Sequence, residues 1–512
     1  MKKLPIGIQT FKKIREDDYY YVDKTRFVDE LVNNGGGYYF LSRPRRFGKS
    51  LFLDTIESAF KCQKELFNGL SLYDKWDWES KYPVVKISFG SGVCRNITEL
   101  RKNMSYNLDQ IVNEYSIKSD YTDLVDRLSQ IIEILFKKYK KQVVILVDEY
   151  DKPILDSITN QELATELRDE LKNYYSVIKD SDRYIKLCFI TGVSKFSKVN
   201  LFSGLNNLND ITIRADYGDI CGYTQSELET VFKDRICDFD SNMVKSWYNG
   251  YSFTGESVYN PFDILLLFDN KEFKNYWFET GTPSFLIKLL QKNSYFIPEI
   301  EYKTASDRLI GNFEIDDINV ETLLFQTGYL TIKNKEQRGN RIVYTLDYPN
   351  IEVKMSLTDS ILAYLSKNNV EREQDNLYDS LLDGELNRLE SVFHSFFASI
   401  PNDWYRKNSI GNYEGYYASI FYCYFTALGL DVIAEDVTNH GRIDLTVKIE
   451  DKIYIIEFKV VELITDGNPA IEQIKSRKYY EKYVDSSKDI YLLGVEFSKT
   501  DRNITRYQWE KM

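Results

Sequence analysis

An α/β protein of three successive regions is the fold class that the sequence predicts. Three observations predict it. Strand-like and helix-like stretches alternate through residues 1–215. Helical spacing dominates residues 216–370 before a short hairpin signal. Residues 371–512 end in the order helix, strand, strand, helix, strand. Strands alternating with helices imply a parallel sheet with crossover connections.

The elements follow in order. Tyr38–Ser42 is a short apolar strand, followed by a basic loop and a helix around Leu51–Phe60. Val84–Phe89 is a second strand, and Ile97–Tyr115 and Tyr121–Tyr139 carry apolar residues at helical spacing. Val143–Val147 is a β-branched run typical of a strand buried on both faces. A helix near Gln161–Ile178 and a strand near Tyr184–Thr191 complete the first region. In the middle, Gln225–Asp234 and Pro261–Asp269 read as helices. Glu321–Tyr329 reads as a helix or turn before Leu330–Lys333, then a polar turn at Asn334–Asn340 and a strand at Arg341–Leu346. Helices followed by a hairpin suit a winged-helix-like lid. Glu371–Asn376 reads as a linker. Helix Tyr416–Leu428, strands Ile443–Ile449 and Lys452–Phe458, a helix near Ala470–Val484 and strand Ile490–Phe497 close the chain.

Composition sets the bounds. At 512 residues, the chain is long enough for about three domains. Lys+Arg number 66 against 78 Asp+Glu, a net charge of −12. That argues against coating nucleic acid through bulk charge and leaves room for a local basic groove. Hydrophobic residues at 43% and charged residues at 28% exclude wholesale disorder. The 40 Tyr and 30 Phe supply large buried areas, and coding bias plus core packing accounts for the Tyr excess. The apolar runs Val143–Val147 and Ile264–Phe268 fall short of the roughly 20 residues that cross a membrane. No apolar stretch follows Met1-Lys2-Lys3, so no signal peptide is expected. The six Cys form no CxxC pair, which suggests neither a zinc site nor a disulfide framework. With only His394 and His440 present, any metal chemistry must rest on carboxylates. A soluble, cytoplasmic protein with no membrane partner is expected.

Arg43-Pro44-Arg45-Arg46-Phe47-Gly48-Lys49-Ser50-Leu51 follows a strand and opens a helix. This is the context of a phosphate-binding loop, whose backbone N–H groups and helix N-terminus cradle phosphates. Lys49 would neutralise the β/γ-phosphates of ATP and Ser50 would hold Mg²⁺. Arg43 stands where such loops usually begin with Gly, and a Gly-Lys-Ser at a helix start also occurs without function. Val143–Val147 runs into Asp148-Glu149, the arrangement in which Asp148 meets Mg²⁺ through water and Glu149 polarises the attacking water. A solvated acidic strand end is the simpler alternative; both motifs together favour a nucleotide. Thr191-Gly192-Val193-Ser194-Lys195 ends another strand, where Thr191 and Ser194 either sense a γ-phosphate or form a capped turn.

A second constellation lies near the C-terminus. Glu457 and Lys459 are two apart on a strand and share a face, with Phe458 on the other. A hairpin would bring Asp444 beside Glu457. Two carboxylates suit Mg²⁺ or Mn²⁺, and Lys459 would orient or help deprotonate a metal-activated water. Glu414 opens the preceding helix and would add a carboxylate; Gln473 opens the following one, near Lys475, Lys478 and Tyr479. A Glu-x-Lys alone is as well read as a salt-bridging pair on an exposed strand.

The motifs Arg43–Ser50, Asp148-Glu149-Tyr150-Asp151-Lys152-Pro153 and Thr191–Lys195 resemble those of bacterial AAA-ATPase-like proteins. So do Tyr21-Val22-Asp23-Lys24-Thr25 and Leu205-Asn206-Asn207-Leu208. Such proteins have an N-terminal P-loop domain and often a C-terminal PD-(D/E)XK nuclease-superfamily domain, and in them Arg at the first loop position belongs to the pattern. The order Glu414, Asp444, Glu457-x-Lys459, Gln473 resembles the nuclease pattern with its metal-site positions filled. The resemblance implies three domains: a P-loop domain at 1–215, a helical lid at 216–370 and a nuclease-like domain at 371–512. It implies an ATPase and a metal-dependent phosphodiesterase acting on nucleic acid, with DNA ahead of RNA. Two sites on one chain with a lid-like region between them suggest that nucleotide state gates cleavage, and the sequence is compatible with a homo-oligomer. The competing expectation is a nucleotide-dependent switch or scaffold whose C-terminal domain binds nucleic acid without cutting it.

Overall fold

The computed structural model is described for all residues except 34–36, 196–201, 203–206, 278–285, 288, 291–295, 307–318, 366–369, 401–413 and 463–466. Leu205 and Asn206 of the Leu205–Leu208 motif lie outside the described residues. Two compact units form: Met1–Trp277 with Tyr302–Asn350, and Phe278–Glu301 with Ile351–Met512.

The first unit is built on a five-stranded sheet in the order β2-β3-β4-β1-β5. The strands are β1 (Tyr38–Ser42), β2 (Val84–Ser88), β3 (Val143–Asp148), β4 (Ile185–Gly192) and β5 (Asn209–Asp210). Every pairing is parallel. β3 is buried along its whole length, as its unbroken apolar run requires of a strand covered on both faces. Helices Lys49–Phe60, Ile97–Tyr115, Leu124–Tyr139 and Gln161–Asp180 supply the crossovers. β4 inserts between β1 and β3, so Ser42 pairs with Gly192 and Val147 with Ile190. The C-terminal ends of β1, β3 and β4, which carry three separate motifs of the sequence, therefore open onto one edge. Open α/β sheets bind their ligands at that edge.

The middle is helical, as expected, with Gln225–Val231, Ser241–Tyr248, Pro261–Asn270 and Val320–Thr327 among its helices. The stretch read as a polar turn is mostly strand. β7 spans Thr331–Arg338 and β8 spans Arg341–Asp347, which confines the reversal to Gly339-Asn340, with Gly339 at φ +63°. β6 (Lys303–Ser306) pairs with β8 to complete a three-stranded sheet. The polar side chains of β7 after Ile332 are exposed, which is why its composition read as a turn.

In the second unit, the sheet runs β13-β12-β11-β10-β9. β9 is Asp431–Thr438, β10 Gly441–Ile449, β11 Lys452–Val461, β12 Asp489–Ser498 and β13 Ile504–Lys511. Only β11 and β12 are parallel. β9 and β13 add to the expected order. They are edge strands with mixed polar patterns and lack the apolar run that marks a central strand. One face packs on helix Glu414–Ala427, through Phe421 on Phe458 at 4.8 Å and Tyr417 on Phe497 at 3.8 Å. The other receives helix Pro469–Ser476, with Ile443, Ile455, Ile471, Ile474 and Leu492 in its core. That helix is shorter than expected: Lys478 turns left-handed at φ +50°, and a 3₁₀ segment, Tyr479–Ser486, continues. The Glu371–Asn376 stretch is not a linker but part of helix Val370–Asp383.

Candidate functional sites

In the first unit, Gly48 sits at φ +90° as the N-cap of helix Lys49–Phe60. A left-handed residue is needed for the loop to enter the helix, and only Gly adopts it without strain. Lys49 is 7% exposed, and its Nζ donates to the carbonyls of Arg43 and Pro44, each at 2.8 Å. Burial lowers its pKa, against the pull of nearby Asp148. Asp148, at the end of β3, keeps Oδ1 buried without a hydrogen-bond partner, as does Thr191 Oγ1 on adjacent β4. Glu149 follows at φ +53°, and burial together with the Asp148 charge raises its carboxyl pKa. A cation-bearing helix N-terminus facing two orphaned buried oxygens suits a magnesium–nucleotide.

The side chains of the loop divide by role. Ser50 and Leu51 lie half-buried on the first turn of the helix, and Arg45 and Arg46 are exposed. The Arg46 guanidinium stacks on Phe262 at 3.8 Å. Three predicted ligands are spent elsewhere. Arg43 is fully buried, donating to the carbonyls of Ser42, Thr212 and Tyr217 and stacking on Phe253 at 3.8 Å. Phe47 is buried edge-on to Tyr251 at 4.8 Å. Phe47 therefore offers a phosphate only its backbone, and Arg43 not even that, since its N–H donates to the Gly192 carbonyl at 3.2 Å. The Ser194 hydroxyl donates to Asp151 Oδ2 at 2.7 Å, and its N–H does the same.

Two residues to which the sequence assigned no role shape this edge. Asp151 is fully buried and clamps the β4 end through the N–H groups of Val193 and Ser194. Gln326, on helix Val320–Thr327, accepts the Lys195 N–H at 2.7 Å. Asp151 is one acid among several in its motif and Gln326 is distant in sequence, so neither gave a local signal.

The second constellation assembles as the hairpin dictates. Leu445 pairs with Ile456, which places Asp444 at the level of Glu457, and Asp444 Oδ2 accepts the Phe458 N–H at 2.8 Å. Glu457 is 1% exposed. Its Oε1 accepts from Gln473 Nε2 and lies 3.6 Å from Lys459 Nζ, while Oε2 is buried with no partner. Gln473 gets there because Asn468 caps its helix and donates to the Gly494 carbonyl. A Cβ at Gly494 would sit 2.5 Å from the Ile471 nitrogen, so only Gly at this point of β12 admits the helix.

Glu414 stands apart. It is exposed at the start of its helix, 3.9 Å from Lys459 Nζ and 3.4 Å from the Val460 nitrogen. Among the described residues, no group of three or more His, Cys, Asp or Glu could hold a metal ion. The arrangement is thus a pair, Asp444 and Glu457, with the exposed Glu414 near enough for its charge to act on Asp444. A pair fits Mg²⁺ or Mn²⁺, which retain several waters and bind through one or two carboxylates plus phosphate oxygens. The orphaned Glu457 Oε2 is the donor such an ion would complete. Of the flanking groups, Lys475 pairs with Glu510 at 2.6 Å, Lys478 with Glu481 at 3.3 Å, and Tyr479 is buried.

Burial raises both carboxyl pKa values; the Asp444 charge adds to the rise at Glu457, and the charges of Glu414 and Glu435 add to it at Asp444. An acid raised on folding holds its proton longer in the folded than in the unfolded chain, so stability falls as pH rises from the ordinary carboxylate range through the folded value. Metal-free wild type is expected to lose thermal stability relative to Glu457→Gln as pH rises from about 5 to about 8. Parallel melting curves across that range would show that the pair is not perturbed.

Residues 5–202 match the family described as "Predicted AAA-ATPase", and residues 412–507 match the PD-(D/E)XK nuclease superfamily. The chain is 50% identical over 516 residues to a protein of Azotobacter chroococcum mcd 1 described as "Uncharacterized protein in vnfD 5'region", covering 100% of this chain and 99% of that one. No solved structure matches the chain. Among the described residues, no helix is long and apolar enough to cross a membrane.

Proposed function

We propose that this chain, which belongs to the predicted AAA-ATPase family and carries a PD-(D/E)XK nuclease-superfamily domain at its C-terminal end, is an ATP-binding, metal-requiring nuclease. The observation that carries the cleavage half is Glu457: buried, joined by Asp444, Lys459 and Gln473, and left with one unsatisfied oxygen. A divalent cation bound there supplies a Lewis acid that activates water and offsets phosphate charge. Gln473 and the Phe458 N–H fix the orientations of the two carboxylates, and Lys459, 3.6 Å from Glu457, would orient the attacking water or help deprotonate it. An intact acid–acid–lysine set favours cutting over a scaffold that only binds.

At the other site, Lys49 and Ser50 would hold the phosphates and Mg²⁺, Asp148 would orient the ion's water and Glu149 would polarise the nucleophile. A raised Glu149 pKa suits a group that accepts a proton. The free cysteines fit a reducing, cytoplasmic setting. DNA is the first substrate to test and RNA the second.

The test is divalent-dependent cleavage of plasmid, linear and single-stranded substrates, with and without ATP. No cleavage of any of them with Mg²⁺ or Mn²⁺ would leave the scaffold reading in its place.

Gating is the finer part of the proposal. The element at the end of β4 is tied by Lys195 to Gln326, and a Cβ on Gly328 would meet Pro44 of the phosphate loop at 2.7 Å. A γ-phosphate that moves either contact shifts helix Val320–Thr327. Glu149→Gln is expected to retain ATP while slowing hydrolysis. Its cleavage in ATP is expected to differ from that of wild type in ADP at fixed free Mg²⁺, since ATP chelates the metal. Equal cleavage by wild type, Lys49→Ala and Glu149→Gln in ATP, ADP and no nucleotide would remove the gating claim.

A further inference from the structure

Lys459 has a buried acid as its neighbour across the ladder. β11 and β12 run parallel with Glu457 opposite Gly494 and Lys459 opposite Glu496. β13 continues the second row with Arg506 opposite Glu496. Residues two apart on a strand share a face. Glu457 reaches Gln473 on the covering helix, and Gly494 abuts the same helix, so Lys459, Glu496 and Arg506 form a charged row on that face, one step from the carboxylate pair.

Glu496 is 1% exposed, and neither carboxylate oxygen has a hydrogen-bond partner. Its nearest cation is Arg506, with Nη1 at 3.7 Å, beyond hydrogen-bond length. A buried carboxylate is costly unless partners reach it, and one held by a single long ion pair with no hydrogen bond leaves room for a second cation. Lys459 is the adjacent cation, and its present contacts are loose: 3.6 Å to Glu457 and 3.9 Å to Glu414. Neighbouring strands lie about 4.8 Å apart, well within the sweep of a four-carbon lysine stem.

We propose that Glu496 is a positioning residue that offers Lys459 a second seat, releasing Glu457 for a divalent cation while holding the ammonium at the border of the site. The proposal rests on the metal-centre reading above. Lys459 and a dication compete for Glu457, and their repulsion drives the lysine toward the other carboxylates in reach: exposed Glu414, at 3.9 Å, and buried Glu496 opposite it on the next strand. Without Glu496, only the exposed Glu414 competes with Glu457 for the lysine, which then opposes the metal more strongly. The sequence held one sign of this: Glu496 is the lone acid in the apolar run Ile490–Phe497.

The test is Mn²⁺ affinity, measured by titration calorimetry on the full chain in a double-mutant cycle. Glu496→Gln is expected to weaken Mn²⁺ binding about 10-fold when Lys459 is present and less than about 2-fold in Lys459→Ala, where no competitor remains. Glu496→Asp is expected to recover most of the affinity, and if Glu496→Gln does not fold, Glu496→Met in the same two backgrounds carries the comparison. An equal loss in both backgrounds would make Glu496 a structural partner of Arg506 and overturn the proposal, as would no loss in either. Wild type with no measurable Mn²⁺ binding would overturn the metal-centre reading and this proposal with it.

Discussion

Alanine at Asp444 or Glu457 is expected to reduce cleavage at least about 1,000-fold, some 4 kcal/mol of transition-state stabilisation, and to remove most Mn²⁺ or Mg²⁺ affinity. Each change deletes one of the two carboxylates that meet there, and among the described residues no group of three or more His, Cys, Asp or Glu could hold a metal ion in its place. Glu457→Ala also strips Gln473 and Lys459 of their shared acceptor, so it is expected to cost more than Asp444→Ala. Lys459→Ala is expected to lose cleavage and keep metal, because the lysine is not a ligand. ATP binding is expected to be unchanged in all three. Metal titration beside a cleavage assay checks the set. Wild-type cleavage in all three variants would eliminate the site as drawn.

Lys49→Met is expected to weaken ATP binding by roughly 30- to 150-fold, equivalent to about 2–3 kcal/mol for a lost charge-assisted contact. Met keeps the buried stem, so the packing of the helix start is retained and the loss reports charge. The two carbonyls that now receive Lys49 Nζ, those of Arg43 and Pro44, belong to the loop itself. Nucleotide therefore competes with loop carbonyls for the ammonium, and ATP binding is expected to stiffen the helix end without unfolding the nucleotide-free loop. A binding titration with a thermal melt separates the effects. Unchanged ATP affinity with an unchanged melt would remove Lys49 from the phosphate site.

Several features of both sites were legible in local sequence. The β3 run ending at Asp148-Glu149 declared a buried strand with an acidic tip, and that strand is buried throughout. Gly48-Lys49-Ser50 marked a helix start, and a left-handed Gly48 provides it. The period of two along β11 put Glu457 and Lys459 on one face, and the short turn before β11 fixed the register that brings Asp444 alongside. These features are set by φ/ψ preference, side-chain alternation and tight turns, all of which act among neighbours in sequence.

The rest depended on residues far apart in the chain. The order β2-β3-β4-β1-β5 places β4 between the loop strand and the acidic strand, and no local pattern states which strands become neighbours. That placement turns Asp151 into a clamp and takes the Ser194 hydroxyl away from a phosphate. Arg43 resembles a phosphate ligand in sequence, yet its guanidinium is drawn inward by carbonyls of Thr212 and Tyr217. Glu414 is a third acid in the sequence pattern, but its helix leaves it exposed, 3.9 Å from Lys459. Glu496 drew no functional reading until β12 was laid beside β11. By itself the sequence determined which elements form and which residues they expose on each face. The tertiary structure alone decided which charges are buried, which find partners and which are left without one, because desolvation and pairing depend on the elements that close over a residue.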